Sequence, residues 1–296
     1  MYTDVVEDLI CPICKSKIRV RKIYLKDKDE VIEGTLCCEN NHKFYIKHGV
    51  IDFHYKENTN TPNLSEFYFE RNFKELDKII EQKTPDNLKK VHILSKNYIS
   101  AIINKVKPKI VLDIASGRSI LLETLAEKVN CNLNIISTDL NFATLKYNRE
   151  RIKKINPNIK ITYIACDYLK LPIKDNTVEC VTSFYGFPNL TVNSPYIMKE
   201  CGRILKIKGL ILDSRIVVNE KDDYFNKIKA ATKQNLGFPN PEIVAVEEKI
   251  KEIYSSIGFS EYKCETIGES IGEKNELDII PAKGEKFKAC VIISKK

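Results

Sequence analysis

Between Ile110 and Ile216, short apolar runs alternate with amphipathic segments, and several of the runs end in an acid. Runs at 110–114, 134–138, 161–165, 180–184 and 210–216 suit buried strands, while 119–128, 141–155 and 194–205 repeat apolar residues at helical spacing. Strand and helix in repeated succession bury their apolar faces together only as a mainly parallel sheet covered by helices. Gly209, after the lysine-rich Lys206-Ile207-Lys208, reads as the stop of the third helix. A helix over 241–257 and two strands, 262–266 and 287–294, complete the pattern. The expected fold class is therefore α/β, Rossmann-like, with a seven-stranded mostly parallel sheet whose last pair is an edge hairpin.

The first fifty residues obey a different rule. Cys11-Pro12-Ile13-Cys14 offers two thiolates on one tight turn, and twenty-four residues after Cys14 comes Cys38, followed by His42. Strands at 18–24 and 31–36 separate these turns, so Cys11, Cys14, Cys38 and His42 form a four-ligand set suited to tetrahedral zinc. Cys37 is the alternative third thiolate. A unit of some forty residues has too small a core to fold unaided, which gives a structural metal its purpose. The polar stretch 55–65 reads as a linker and 66–82 and 85–105 as amphipathic helices. This predicts three segments: a zinc ribbon at 1–55, linker and helices at 56–106, and a Rossmann-like domain at 107–296.

Charge decides less. The formal +8 comes from lysine interspersed with glutamate, which permits a nucleic-acid partner without requiring one. The opening residues lack the pattern of a secretory signal and no apolar run reaches membrane-spanning length, so a soluble cytoplasmic protein without a membrane partner is expected. Oligomeric state is not legible.

The turn Ala115-Ser116-Gly117-Arg118-Ser119 joins the first strand of the sheet to its helix, and small residues there let a ligand approach the backbone. The second strand ends in Asp139, twenty-six residues beyond Asp113, where a ribose diol would be held; the third ends in Cys166-Asp167, suited to an adenine amino group. Each acid could instead be a helix cap, but their recurrence at successive strand ends favours a nucleotide-like ligand. These residues, with Arg203-Ile204-Leu205-Lys206-Ile207-Lys208-Gly209, resemble the class I S-adenosylmethionine-dependent methyltransferases. Ala115 and Ser119 depart from the usual glycines of the first motif, and Lys208 from the first glycine of the later turn. The resemblance implies a cofactor site of Asp113, Ala115, Ser116, Gly117, Asp139, Leu140, Cys166, Asp167, Tyr168 and Phe184.

Cys11, Cys14, Cys38 and His42, followed by Phe44 and Gly49, resemble the zinc ribbon of ribosomal-RNA large-subunit guanine-N1 methyltransferases. That similarity implies an RNA base as acceptor. The segment Ser183 to Asn189 instead resembles quinone-biosynthesis C-methyltransferases, which implies a small-molecule acceptor. The expected function is methyl transfer from S-adenosylmethionine, with the acceptor open between these two and a non-catalytic cofactor-binding module as a third alternative. Methyl transfer needs no dedicated base; if one exists, Tyr185, Asp213 and Arg215 are the candidates, though Asp213 and Arg215 equally suit a structural ion pair.

Overall fold

A computed structural model describes residues 1–54, 72–190, 193–236 and 240–296. The expected linker at 55–65 and the first residues of the helix expected over 66–82 lie outside them. The chain forms two compact units. One comprises Met1–Pro62, Ile103–Thr182 and Arg203–Gly209; the other comprises Asn63–Ile102, Ser183–Gly202 and Leu210–Lys296.

The described residues contain eleven strands rather than the expected seven. The difference lies in the amino-terminal segment. Its strands β1 (Ile18–Asp27), β2 (Glu30–Cys38), β3 (Lys43–Lys47) and β4 (Val50–Asp52) form an antiparallel meander, and β4 then pairs in parallel with β7 (Lys160–Ala165). These four strands thus extend the parallel sheet of the first unit instead of closing on themselves. Beyond β7 come β6 (Asn134–Asp139), β5 (Ile110–Asp113) and β8 (Val178–Phe184), all parallel. Val111, Leu112, Ile135 and Ile136 are fully buried, as strands covered on both faces require. Asn141 caps the following helix, Phe142–Ile155, by accepting a hydrogen bond from the Thr144 amide at 3.0 Å.

In the second unit β9 (Leu205–Val218) pairs antiparallel through residues 210–218 with β11 (Lys286–Lys295), which pairs with β10 (Glu261–Ile271). Leu88 and Val91 of the helix Asp86–Val106 pack with Ile216, Phe225, Ile228 and Phe287 as its core. Two local expectations need correction. The helix beginning at Ser194 ends at Ile204, and Gly209 lies inside β9, not at a helix stop. Lys208 takes a left-handed φ of 66°, and a Cβ on Gly209 would come within 2.8 Å of the Lys206 carbonyl oxygen. Close backbone approach, not helix termination, therefore demands the glycine. The helix expected over 241–257 breaks at Val246, whose extended φ and ψ of −106° and 122° separate Glu242–Ala245 from Glu247–Ser256.

Candidate cofactor site and metal centre

The carboxyl ends of β5, β6 and β7 bring three of the expected groups together in the first unit. Asp113 is buried, and its carboxylate accepts a hydrogen bond from the Thr182 hydroxyl at 2.8 Å. Burial pushes that carboxyl up to about 6, with Asp139 adding to the rise. Next to it, the Ser116 hydroxyl donates to the Asp113 carbonyl at 3.0 Å and receives the Ser137 hydroxyl at 2.9 Å.

Ala115 and Ser119, which stand where glycines are usual, both adopt glycine-like backbone: φ is 51° at Ala115, 48° at Gly117 and 55° at Ser119. Holding a side chain there costs on the order of 1 kcal/mol per residue, strain of the kind that a binding loop retains. A Cβ placed on Gly117 would meet nothing nearer than the Ala115 carbonyl oxygen at 3.9 Å, so the loop faces open space.

Asp139 closes the loop from β6. One carboxylate oxygen accepts the Gly117 amide at 2.8 Å and the other the Asn141 amide at 2.9 Å. Burial raises the Asp139 pKa against the pull of the Asn141 and Gly117 amides. At the end of β7 the Cys166 amide donates to the Asp139 carbonyl at 3.1 Å, and the buried Tyr168 hydroxyl accepts the Leu140 amide at 2.8 Å. Asp167 is exposed and caps the short turn Tyr168–Lys170, accepting the Leu169 amide at 2.9 Å.

One contributor has no counterpart in the motif reading. Asn148, fully buried on the helix Phe142–Ile155, donates to the Gly117 carbonyl at 2.6 Å and so anchors the loop from behind. A polar residue on the inward stripe of an amphipathic helix was the available signal.

The remaining candidates lie in the second unit. Phe184 packs edge-on against Tyr185, ring centres 4.7 Å apart, and His92 sits 4.9 Å from Tyr185. Burial drives the His92 imidazole down to about 4, so it is neutral near pH 7. The buried hydroxyls of Tyr185, Ser95 and Ser214 gather together, the two serines beside the tyrosine hydroxyl. Asp213 and Arg215 are fully buried and pair at 2.5 Å, and the Tyr254 hydroxyl donates to the same Asp213 oxygen at 3.0 Å. Their strong mutual engagement is that of an ion pair within the core.

At the carboxyl end of β2 the donor atoms of Cys11, Cys14, Cys38 and His42 all lie within 4.8 Å of one another. The Cys14 and Cys38 sulfurs are 3.7 Å apart, and His42 Nδ1 lies 3.6 Å from Cys11 Sγ and 3.3 Å from Cys38 Sγ. A zinc–sulfur bond of about 2.3 Å implies tetrahedral edges of about 3.7 Å, so the four donors fit one ion. Left-handed residues Lys15 and Asn41, at φ of 60° and 62°, make the two turns, and the His42 amide points to Cys38 Sγ at 3.3 Å. Cys37 belongs to the other face of β2, opposite Arg19 and Lys43, and is not among the four.

Residues 87–227 match the model of the ubiE/COQ5 methyltransferase family. This span is similar to class I methyltransferase domains. Every expected cofactor residue falls within the matched span, and the metal cluster lies outside it. The ubiquinone/menaquinone biosynthesis C-methyltransferase UbiE of Citrobacter koseri is 29% identical over 122 residues, 41% of this chain and 48% of that protein. Its counterpart in an Enterobacter species is 27% identical over the same shares of the two chains. The chain thus spans about half the length of these relatives. Among solved structures, one described as a sarcosine dimethylglycine methyltransferase from Galdieria sulphuraria superposes with a TM-score of 0.50 at 14% identity, over 71% of this chain and 86% of that one. The MccD protein superposes with a TM-score of 0.50 at 19% identity, over 68% of this chain and 96% of that one. These two likenesses concern the fold alone. The expected similarity to ribosomal-RNA guanine-N1 methyltransferases is not what these matches show: the sequence relatives are quinone-biosynthesis enzymes.

Proposed function

We propose that this protein transfers a methyl group from S-adenosylmethionine to a small molecule, and that Cys11, Cys14, Cys38 and His42 hold a structural zinc ion. The observation that carries the first reading is the convergence of Asp113, the loop 115–119 and Asp139 at three successive strand ends, with the loop open beside Gly117. In this reading Asp139 holds the ribose hydroxyls, the main chain of 115–117 receives the amino-acid portion, and Cys166 with Asp167 borders the adenine. Bound there, S-adenosylmethionine supplies a methyl group on a positively charged sulfur. The protein then contributes orientation and exclusion of water, which can provide most of the acceleration for an in-line displacement.

The acceptor is proposed to be a quinone-related aromatic, because the relatives that match this domain are named for quinone C-methylation. The buried hydroxyls of Tyr185, Ser95 and Ser214 support a polar acceptor group, since a cluster of hydroxyls offers a ligand both donors and acceptors. Neutral His92 and the Phe184 and Tyr185 rings would flank an aromatic ring without placing a charge beside it.

Calorimetric titration with S-adenosylmethionine and S-adenosylhomocysteine tests the cofactor site. Asp139→Ala removes a charged acceptor and is expected to weaken binding roughly a hundredfold, the equivalent of about 3 kcal/mol. Unchanged affinity in the variant, or no binding by folded wild-type protein, would sink the reading. Tight binding with no turnover across a screen of hydroxylated aromatics and unmodified ribosomal RNA would leave a cofactor-binding module.

A further inference from the structure

The net charge of this chain is unevenly spread. Between Lys15 and Lys28 the sequence places seven lysines and arginines against the single acid Asp27. Most of that segment is β1, the outermost strand of the first unit, and residues 21–27 of β1 are all exposed. At its middle stand three consecutive large apolar side chains, Ile23 at 41%, Tyr24 at 60% and Leu25 at 54% exposure, flanked by Lys22 and Lys26. Successive side chains of a strand alternate faces, so the apolar run lines the open edge of β1 on both sides; on one face Lys22 stands opposite Thr35 and Thr35 opposite Tyr45, itself 52% exposed, Arg19 stands opposite Cys37 and Cys37 opposite Lys43, and the acid Glu33 stands opposite Leu25. Lys22 and Lys47 lie over the rings of Tyr24 and Tyr45 at 5.1 and 5.5 Å.

We infer that this open edge, β1, docks on an anionic membrane surface. Exposed aliphatic and aromatic side chains ringed by lysine and arginine insert shallowly at the headgroup boundary while the cations meet the lipid phosphates. Such docking differs from spanning: no helix among the described residues is long and apolar enough to cross a membrane. Two other occupants fit less well. A nucleic acid would use the cations and the tyrosine faces, but gains nothing from Ile23 and Leu25, which cannot stack on bases as aromatic rings do. A second copy pairing edge to edge about Tyr24 would set Lys22 opposite Lys26, and like charges directly opposite are unfavourable. Register shifts between Val20 and Lys22, Ile23 and Leu25, and Leu25 and Lys26 further spoil β1 as a template for strand addition.

Co-sedimentation of the full chain with vesicles of phosphatidylcholine, alone or with one-third phosphatidylglycerol, tests this. Binding is expected only to the anionic vesicles and should weaken as salt is raised. The I23S/Y24S/L25S variant should lower the partition coefficient by roughly tenfold or more, and K22E/K26E should remove the preference for phosphatidylglycerol. Both variants alter exposed positions, so zinc content and S-adenosylhomocysteine affinity serve as controls for folding and should not change. The inference does not depend on the methyl acceptor. It is overturned if anionic vesicles fail to retain the wild-type chain, if I23S/Y24S/L25S binds them as the wild type does, or if the variants lose ribosomal-RNA binding or self-association while vesicles never bind.

Discussion

Metal analysis of the purified chain is expected to find one zinc per molecule, and Cys38→Ser is expected to lose it together with much of the stability of the first unit. The reason is geometric. The two turns carrying Cys11, Cys14, Cys38 and His42 bring four donors to one point, while β1 to β4 lead directly into β7. A structural zinc contributes about 10 kcal/mol or more to folding in isolated zinc-binding peptides. Here the pairing of β4 with β7 retains part of the order, so a loss of about 5 kcal/mol is the expected scale, lowering the melting temperature by roughly 10 to 20 °C. Because Ile51 pairs with Ile164 and Asp52 with Ala165, disorder would reach the end of β7 and weaken S-adenosylmethionine binding too. Retained zinc in Cys38→Ser, or an unaltered melting temperature after chelation, would show that the cluster is not a structural metal site.

Local signals made much of this fold legible. Alternating strand and helix between Ile110 and Ile216, and acids at strand ends, depend on a few adjacent residues and survive in the sequence. The two metal turns were legible for the same reason: each is a short peptide whose spacing alone presents its ligands. Non-local relations were not. β3 and β4 are five and three residues long, too short for periodicity to reveal, and nothing local indicates that β4 pairs with β7 more than a hundred positions away. The helix Asp223–Leu236 went unread although Phe225, Ile228 and Thr232 keep an inward stripe. Lys206-Ile207-Lys208-Gly209 misled because a lysine-rich turn before glycine usually ends a helix, whereas here strand packing requires the glycine. In the loop 115–119, Ala115 and Ser119 are departures from the usual glycines, yet the backbone that makes glycine usual is present at both.

Replacing Glu30 with glutamine is expected to destabilise the first unit by about 3 to 5 kcal/mol, because it breaks a buried ion-pair network by removing one partner. Glu30 ties β2 to the helix Phe142–Ile155. It is only 2% exposed, and Arg149 reaches it from the helix Phe142–Ile155 with two parallel hydrogen bonds of 2.8 Å, one to each carboxylate oxygen, while Lys153 bonds it one turn later. Gly49, at φ 78°, makes room for that arginine: a Cβ there would collide with its guanidinium. Burial alone would raise the Glu30 carboxyl, but Arg149 and the neighbouring cations overcome it and hold the pKa at about 2 against an ordinary 4.5. Since the folded value is the lower, the network's contribution is full above pH 4.5 and is lost as pH falls towards 2. That depression corresponds to about 3 kcal/mol. Urea denaturation followed across this range should therefore show the wild type losing stability with acidification more steeply than Glu30→Gln, whose two curves should converge at the acid end. Parallel curves for the two proteins would mean that Glu30 carries no depressed pKa and that the ribbon is held to the sheet by the strands and metal alone.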